Sequence, residues 1–448
     1  MYKQTTLLST IIILVLFSSC GKNDTRTDDG DYLPVVLDSV GQDNDSLVLN
    51  EVQKQTMAYF WDFGHPVSGM ARERNSSGDV VTTGGTGFGV LSLIAGVNRN
   101  FLGRDTVASR LLTMCKFLKS ADRFHGAWPH WLNGRTGKVQ PFSSNDNGAD
   151  LVETAFLIQG LLTARMYFNV DNNVEAELRG LIDDLWQGVE WDWFTRSGQK
   201  MLYWHWSPDK GWAMNMPIRG WNEALIVYVL AASSPTHPVS ADVYHNGWAQ
   251  NGLMKNGASY FGIKLPLGVQ YGGPMFFAHY SFLCLDPRNL VDKYANYWEQ
   301  NVSHAKINWT YSINNPKGFG GYSDVVWGLT ASDDPDVGYQ SHAPYNFGGT
   351  DNGTISPTAA IASIPYLPQQ SLKAINHFHK NMYDMLWGMY GFKDAFNLHK
   401  NWVANSYLAI DQGPIVVMIE NYRTGLLWNT FMKNVEIQQG LTKLGFTY

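Results

Sequence analysis

Only three cysteines occur in 448 residues. That is too few for a disulfide framework, and Cys115 and Cys284 sit inside apolar runs without the spacing of a metal site. Both are expected as core thiols, and neither a metal nor a cofactor is expected. Charge is scarce too: Asp, Glu, Lys and Arg make up 16% of the chain, with a formal net charge of −6. Without a basic field, nucleic acid is not an expected partner. Beyond residue 20 every apolar run is broken by Gly, Pro or polar residues before it reaches membrane-spanning length. Gly-x-Ser-x-Gly, His-Glu-x-x-His and Gly-x-x-x-x-Gly-Lys-Ser/Thr are all missing, which removes those routes to hydrolysis and phosphate binding. GGTGFG, ahead of Val90, enters a helix with no strand expected before it. Close backbone packing therefore explains its glycines better than a dinucleotide does.

Aromatics, in contrast, are plentiful, at 14% of the chain with 17 Trp. They fit flat apolar ligand surfaces and aromatic cores equally. At the N-terminus, Lys3, the apolar stretch Ile11–Phe17 and Ser18-Ser19-Cys20 resemble a bacterial lipoprotein signal, with Phe17 in place of the usual Leu. Residues 1–20 are thus expected to be a signal peptide and 21–45, polar and acidic, a disordered tether. The expectation is an exported lipoprotein, periplasmic or outer-membrane anchored, touching the membrane only through a lipid on Cys20.

From residue 46 to 448 two kinds of helix alternate, as in a single domain. Amphipathic helices are expected near 47–62, 105–121, 173–187, 238–249, 291–304 and 368–382, with 427–443 closing the chain. Helices apolar on all sides are expected near 85–97, 148–164, 220–232, 273–285, 356–365 and 413–422. Loops leaving the apolar helices are short, whereas those entering them are long and rich in Gly, Trp, His, Asn and Asp. The pattern predicts an all-α fold, an (α/α)6 toroid, with the long loops and short hairpins (124–139 and 195–212) at the active-site end.

Acids mark the starts of the apolar helices. Asp146, Asp150 and Glu153 fall at i, i+4 and i+7, one face of a helix. Glu223 opens the third apolar helix, and Asp411 precedes the sixth. Singly each could serve as a cap or complement the helix dipole; Asp146 in particular could be an N-cap. As a set in apolar surroundings they must be paired, hydrogen-bonded or functional. Paired carboxylates beside aromatic platforms are what glycosidic hydrolysis needs, one protonated for the leaving oxygen and one ionised for water or the anomeric carbon. Expected sugar contacts are Trp131, Tyr203, Trp204, Trp206, Trp221 and Trp327, with Trp128 nearby. His130, His205, Arg72, Arg74 and Arg219 accompany them as hydrogen-bonding groups.

The motifs GGTGFG, SSNDNGADLVETAFLIQGLL, RGWNEALIVYVLA, GGPMFFAHYSFLCLDPR, SPTAA, YGFKDAFN and DQGPIVVMIENYRTGLLW together resemble the glycoamylase-like domain of bacterial lipoproteins. Within it they are most similar to the glycoside hydrolases of β-1,2-glucan. The resemblance runs from about residue 50 to the C-terminus and implies inverting hydrolysis of β-1,2-glucan to sophorose or short oligosaccharides. By residue match it implies that Asp146, Asp150, Glu153, Glu223 and Asp411 are the essential acids. Glu223 would be the general acid and Asp411 the leading base, with Asp150 the rival. An oligo- or polysaccharide substrate and a monomer are expected. The competing readings are a surface lipoprotein that captures glycan without cutting it, and a lyase of the same fold acting on uronic-acid polymers.

Overall fold

The computed structural model describes residues 39–448; the expected signal segment, Cys20 and residues 21–38 lie outside the described residues. Helix α1 (Ser39–Trp61) begins inside the expected tether, so residues 39–45 are helical instead. Asp45 accepts a hydrogen bond from Asn376 at 2.9 Å. Asp43–Tyr448 form one compact unit.

Inner and outer helices then alternate along the chain. Strand β1 (Val80–Thr82) leads into inner α2 (Thr83–Asn98), followed by outer α3 (Arg104–Ser120) and strands β2 (Trp131–Asn133), β3 (Val139–Gln140) and β4 (Ala149–Asp150). Inner α4 (Leu151–Tyr167), outer α5 (Asn173–Gln187), strand β5 (His205–Trp206) and inner α6 (Leu225–Ser233) come next. Outer α7 (Ala241–Val243) continues into a π turn, Tyr244–Trp248, before the small hairpin β6 (Ser259–Tyr260) and β7 (Ile263–Lys264). The fourth inner element is a pair of 3-10 turns, Met275–Ala278 and Ser281–Leu283. Outer α8 (Tyr297–Asn314), the hairpin β8 (Ala331–Asp334) and β9 (Gly338–Ser341), and inner α9 (Pro357–Ala362) follow. Outer α10 (Pro368–Asn381) with short α11 (Tyr383–Leu386), inner α12 (Ala409–Thr424), and then α13 (Leu426–Phe431) and α14 (Val435–Leu444) complete the chain.

The inner elements close on themselves. Helix α2 packs against both α4 and α12, α4 against α6, and α6 against the 3-10 pair. His279 of that pair reaches Ser363, just past α9, at 3.1 Å, and Thr358 of α9 donates to the Asp411 carbonyl of α12 at 2.8 Å. The ring is the predicted (α/α)6 toroid. Its outer members are amphipathic: α5 buries Leu178, Ile182, Leu185 and Trp186, one helical face.

Close approach of the inner helices explains the glycines of GGTGFG. Every residue of Thr83–Val97 and of Leu151–Ala164 is buried. A Cβ on Gly87 would lie 1.9 Å from the Phe156 carbonyl oxygen of α4, and one on Gly160 2.4 Å from that of Gly87. The two backbones touch, and only glycine fits at the crossing. Contrary to expectation a short strand, β1, does precede this helix; it pairs antiparallel with β2.

Other expectations shift for local reasons. The fourth inner element is not a continuous helix but two 3-10 turns either side of His279, whose ring meets Ser363. The closing helix expected at 427–443 breaks at Asn434, whose side chain donates to the Phe431 carbonyl at 2.7 Å and so competes with the backbone. The expected hairpin at 124–139 forms through β2 and β3. The one expected at 195–212 turns at Ser207–Gly211, but its strand β5 pairs with β4 instead, setting His205 opposite Asp150. Cys115 and Cys284 are buried free thiols, and burial pushes the Cys115 thiol up to about 12. Among the described residues no helix is long and apolar enough to cross a membrane.

Candidate active site

The loops entering the inner elements surround a cavity of about 560 Å³. Its walls are largely aromatic: Trp131, Phe142, Trp204, Phe276, Tyr280 and Tyr339. Glu153, Glu223, Glu73, Arg74 and His130 supply the charged groups.

Asp150 is the N-cap of α4: its Oδ1 accepts from the amides of Val152 (3.0 Å) and Glu153 (2.9 Å). Its extended backbone (φ −120, ψ 107) lies in β4, so Asp146 and Asp150 precede the helix rather than share a helical face with Glu153. The Oδ2 of Asp150 is 2.9 Å from His130 Nδ1 and 3.5 Å from His205 Nε2. Asp146 Oδ2 is 3.4 Å from His205 Nε2 and 3.8 Å from His130 Nδ1. Two imidazoles thus alternate with two carboxylates. Burial opposes protonation of the imidazoles, but the facing acids outweigh it and hold His130 at about 9 and His205 at about 10. Asp150 is correspondingly depressed, because the hydrogen bonds and charges of the two histidines overcome its burial. His130, Asp146 and Asp150 bring ligand-type atoms within 4.8 Å of one another. Among the described residues these three could hold a cation, yet the raised His130 and His205 set positive charge against the same carboxylates.

Glu153 stands one turn further on. Its Oε2 accepts from the Gly84 amide at the start of α2 (2.7 Å) and from Thr82 Oγ1 (3.4 Å). A Cβ on Gly84 would sit 2.7 Å from that oxygen. This helix terminus is therefore filled by a carboxylate of the chain itself and not open to a phosphate. Burial raises Glu153, His130 and the Gly84 amide oppose the rise, and Asp150 adds to it.

Glu223 lies in the turn just before α6, anchored through its carbonyl, which accepts from the Ser281 hydroxyl. Its carboxyl receives a hydrogen bond only from its own backbone, and burial pushes it up to about 7, with the charges of Glu153 and Asp150 adding. Other buried acids are treated differently: Glu420 is met by Arg99 at 2.7 Å and Glu175 by Arg104 at 2.7 Å. Glu223 has no such partner, so it carries its proton near neutrality.

Asp411 sits in the first turn of α12, 2% exposed, with neither carboxyl oxygen receiving a conventional donor. Its neighbour is Asp394, close enough for its charge to disfavour ionisation of Asp411. Burial and mutual repulsion push Asp411 well above the carboxylate range; burial and Asp333 push Asp394 up to about 7. Asp394 is fixed by the Asp333 amide (2.7 Å), and Asp333 by Arg74 (3.0 Å) and the Ser406 hydroxyl. Arg74 also binds Glu73 at 3.0 Å and bridges in strand fashion to Leu408.

A ring of six inner elements carrying this cluster has known relatives. The Glycoamylase family model matches residues 215–435. An endo-β-1,2-glucanase from Chitinophaga pinensis is 51% identical, with 90% of this chain and 99% of that one covered at a TM-score of 0.87. The chain belongs to the glycoamylase-like family. A further relative, the exo β-1,2-glucooligosaccharide sophorohydrolase of Parabacteroides distasonis, is 46% identical over 420 residues, which is 89% of this chain. This chain spans 58% of that protein's length. An endo-β-1,2-glucanase from Talaromyces funiculosus, 12% identical, has the same fold at a TM-score of 0.63, with 91% of this chain and 93% of that one covered.

In this glycoamylase-like chain the expected site residues divide into three groups. Glu153, Glu223, Arg74, His130, Trp131 and Trp204 face the cavity. Asp146, Asp150 and His205 form the charged layer described above, and Asp411 lies next to the aromatic wall, close enough to raise the hydroxyls of Tyr280 and Tyr339. The remainder are placed elsewhere. Trp327 and Trp128 are fully buried, and Trp221 packs on Phe282 and Tyr297. Tyr203 donates to Gln199 at 2.8 Å, and Trp206 packs outward on Trp193 and His125. Arg72 is spent on the carbonyls of Phe63 (2.7 Å) and Gly78 (2.8 Å), while Arg219 is exposed and lines no part of the cavity. A second cavity, about 330 Å³, includes Trp193 and Trp212, but Trp193 is covered on one face by His125 and on the other by Trp212. Residues that the sequence did not single out are Glu73, Asp333, Asp394, Phe142, Phe276, Tyr280 and Tyr339. Asp394 stood in a recognised motif, YGFKDAFN, and Phe276 and Tyr280 in another, GGPMFFAHYSFLCLDPR.

Proposed function

We propose that this chain hydrolyses β-1,2-glucan with inversion at the anomeric carbon, releasing sophorose or short oligosaccharides. The observation that carries the reading is Glu223: an unpaired, protonated carboxyl on the wall of an aromatic cavity sized for sugar rings. The reactions named for relatives 46% and 51% identical support the linkage. Glu223 gives its proton to the leaving glycosidic oxygen. Asp411, once ionised, takes the proton of the attacking water. Asp150 is the poorer base, since one oxygen caps α4 and the other faces His130. Glu153 and the histidine–aspartate layer hold substrate hydroxyls, and Trp131 and Trp204 offer faces for the apolar sides of the sugar rings.

The test is product analysis on linear β-1,2-glucan, with starch and β-1,3-glucan as controls. The expected result is sophorose or short oligosaccharides from the first substrate alone, released as the α-anomer. Calorimetric binding without product would favour the glycan-capture reading, and cleavage of a control instead would reassign the linkage.

The N-terminal pattern supports an exported lipoprotein anchored through Cys20. Metabolic labelling with a fatty acid should tag the wild-type chain, and Cys20→Ala should abolish the tag.

A further inference from the structure

Outside the cavity, two long loops bring five aromatic rings together. The 253–273 loop supplies Tyr260, Phe261 and Tyr271; the segment after β9 supplies Tyr345 and Phe347. Tyr271 is central, with ring centroids 4.4 Å from Tyr260, 4.7 Å from Tyr345, 5.7 Å from Phe261 and 5.9 Å from Phe347. None of the five is buried, and Phe261 is 38% exposed.

The backbone beneath them is unusual. Phe261, Tyr271 and Tyr345 have φ of +55°, +59° and +51°, where a bulky side chain is strained and glycine would be relaxed. Three aromatic residues held in that region within one patch argue that the rings are kept for what they contact, not for the fold.

The patch is rigid and continuous with the cavity. Tyr345 packs at 4.9 Å on Tyr311 of α8, whose hydroxyl donates to Asp351. Gly348 rests against the loop carrying Tyr271, where a Cβ would lie 3.3 Å from Pro274. That loop runs directly into Phe276, a cavity wall residue, and β9 before Tyr345 carries Tyr339 and Ser341, also on the wall.

We infer that this patch is an outlying sugar-binding platform, on which the units of a neutral glucan chain that extend beyond the cavity stack. The inference rests on the glucan-hydrolase reading above. The tyrosine hydroxyls give the platform a polar edge, as sugar recognition requires. A cavity of about 560 Å³ encloses only a few rings of a polymer, so a long substrate must leave it across neighbouring surface. Short oligosaccharides would not reach the platform.

The double variant Phe261→Gly/Tyr271→Gly tests this, because it removes two rings while suiting the backbone at both positions. Expected are a Tm no lower than wild type, kcat/KM on long β-1,2-glucan at least tenfold lower, and kcat/KM on a short β-1,2-oligosaccharide within twofold. A loss equal for both substrates, or no loss for either, overturns the platform. If the wild type cleaves no β-1,2-glucan, the proposed function fails on its own. Affinity electrophoresis with soluble β-1,2- and β-1,3-glucans then decides: retardation lost in the variant sustains the platform, and no retardation of the wild type overturns it.

Discussion

Glu223→Gln should lower turnover on glucan by about 10²–10⁴-fold, the usual worth of a general acid, while the protein becomes more stable in mild alkali. The two effects share one cause. Burial raises the Glu223 carboxyl from its ordinary 4.5 to about 7, so the folded state binds this proton more tightly than the unfolded chain. That contribution to stability is fully present below about 4.5 and is lost as pH rises through about 7. The shift corresponds to about 3 kcal/mol, carried as strain once the group ionises. Glutamine cannot ionise. The variant's Tm should therefore exceed that of wild type by a few degrees at pH 8 and match it at pH 5, read by calorimetry at both values. Catalysis should show the opposite preference, with wild-type kcat/KM falling as pH rises through about 7. A variant with near-wild-type turnover would remove Glu223 from the chemistry, and an unchanged Tm difference across pH would remove the buried charge.

Asp411→Asn should be as damaging to turnover, about 10²–10⁴-fold, but its neighbour should behave differently. Asp411 must be ionised before it can accept a proton from water, and burial and the Asp394 charge beside it push it well above the carboxylate range. The acid limb of the wild-type pH profile should therefore lie well above the ordinary carboxylate range and crowd the Glu223 limb at about 7, giving a narrow bell. Asp394→Asn replaces a repelling carboxyl with an amide that can donate to Asp411. Asp411 should then ionise at lower pH, moving the acid limb down by at least about one pH unit with maximal turnover within about tenfold of wild type. Steady-state kinetics across pH distinguishes this from mere structural damage, which would lower the curve without displacing it. An unmoved acid limb in Asp394→Asn would show that the Asp394 charge plays no part.

The residues that a single sequence reveals here are those whose surroundings are also written in it. Glu153 and Glu223 stand out because each precedes a run of apolar residues with nowhere for a charge to be solvated. The toroid is legible for the same reason: inner and outer helices differ in how many of their faces are apolar. Asp333 and Asp394 are not legible, because neither opens an apolar helix. Asp333 lies in β8 and Asp394 in the run YGFKDAFN, and they meet only where the Asp333 amide donates to the Asp394 carboxylate from 61 positions away. Aromatics mislead in the opposite sense. Trp131 faces the cavity and Trp327 is wholly buried, yet both come from long, glycine-rich loops. Nothing in local composition separates a wall from a core. The HW pair at 205–206 is intermediate: the sequence repeats the His-Trp of 130–131 but does not disclose the pairing of β5 with β4 that brings both histidines onto the same two aspartates.

The contact between α2 and α12 joins the two ends of the ring, and with it Glu73 and Arg74 meet the strand before Asp411, the Ala409 amide donating to the Glu73 carbonyl at 3.0 Å. These partners are separated by most of the chain, so their pairing has a very high contact order and belongs late in folding. A nascent chain can pack α2 on α4 while its last inner helix is still being synthesised. It then holds Glu223 and most of the aromatic wall, but not Asp411. On the proposed mechanism cleavage is thereby the last competence to be acquired, and an incomplete ring is a cavity with its acid and without its base.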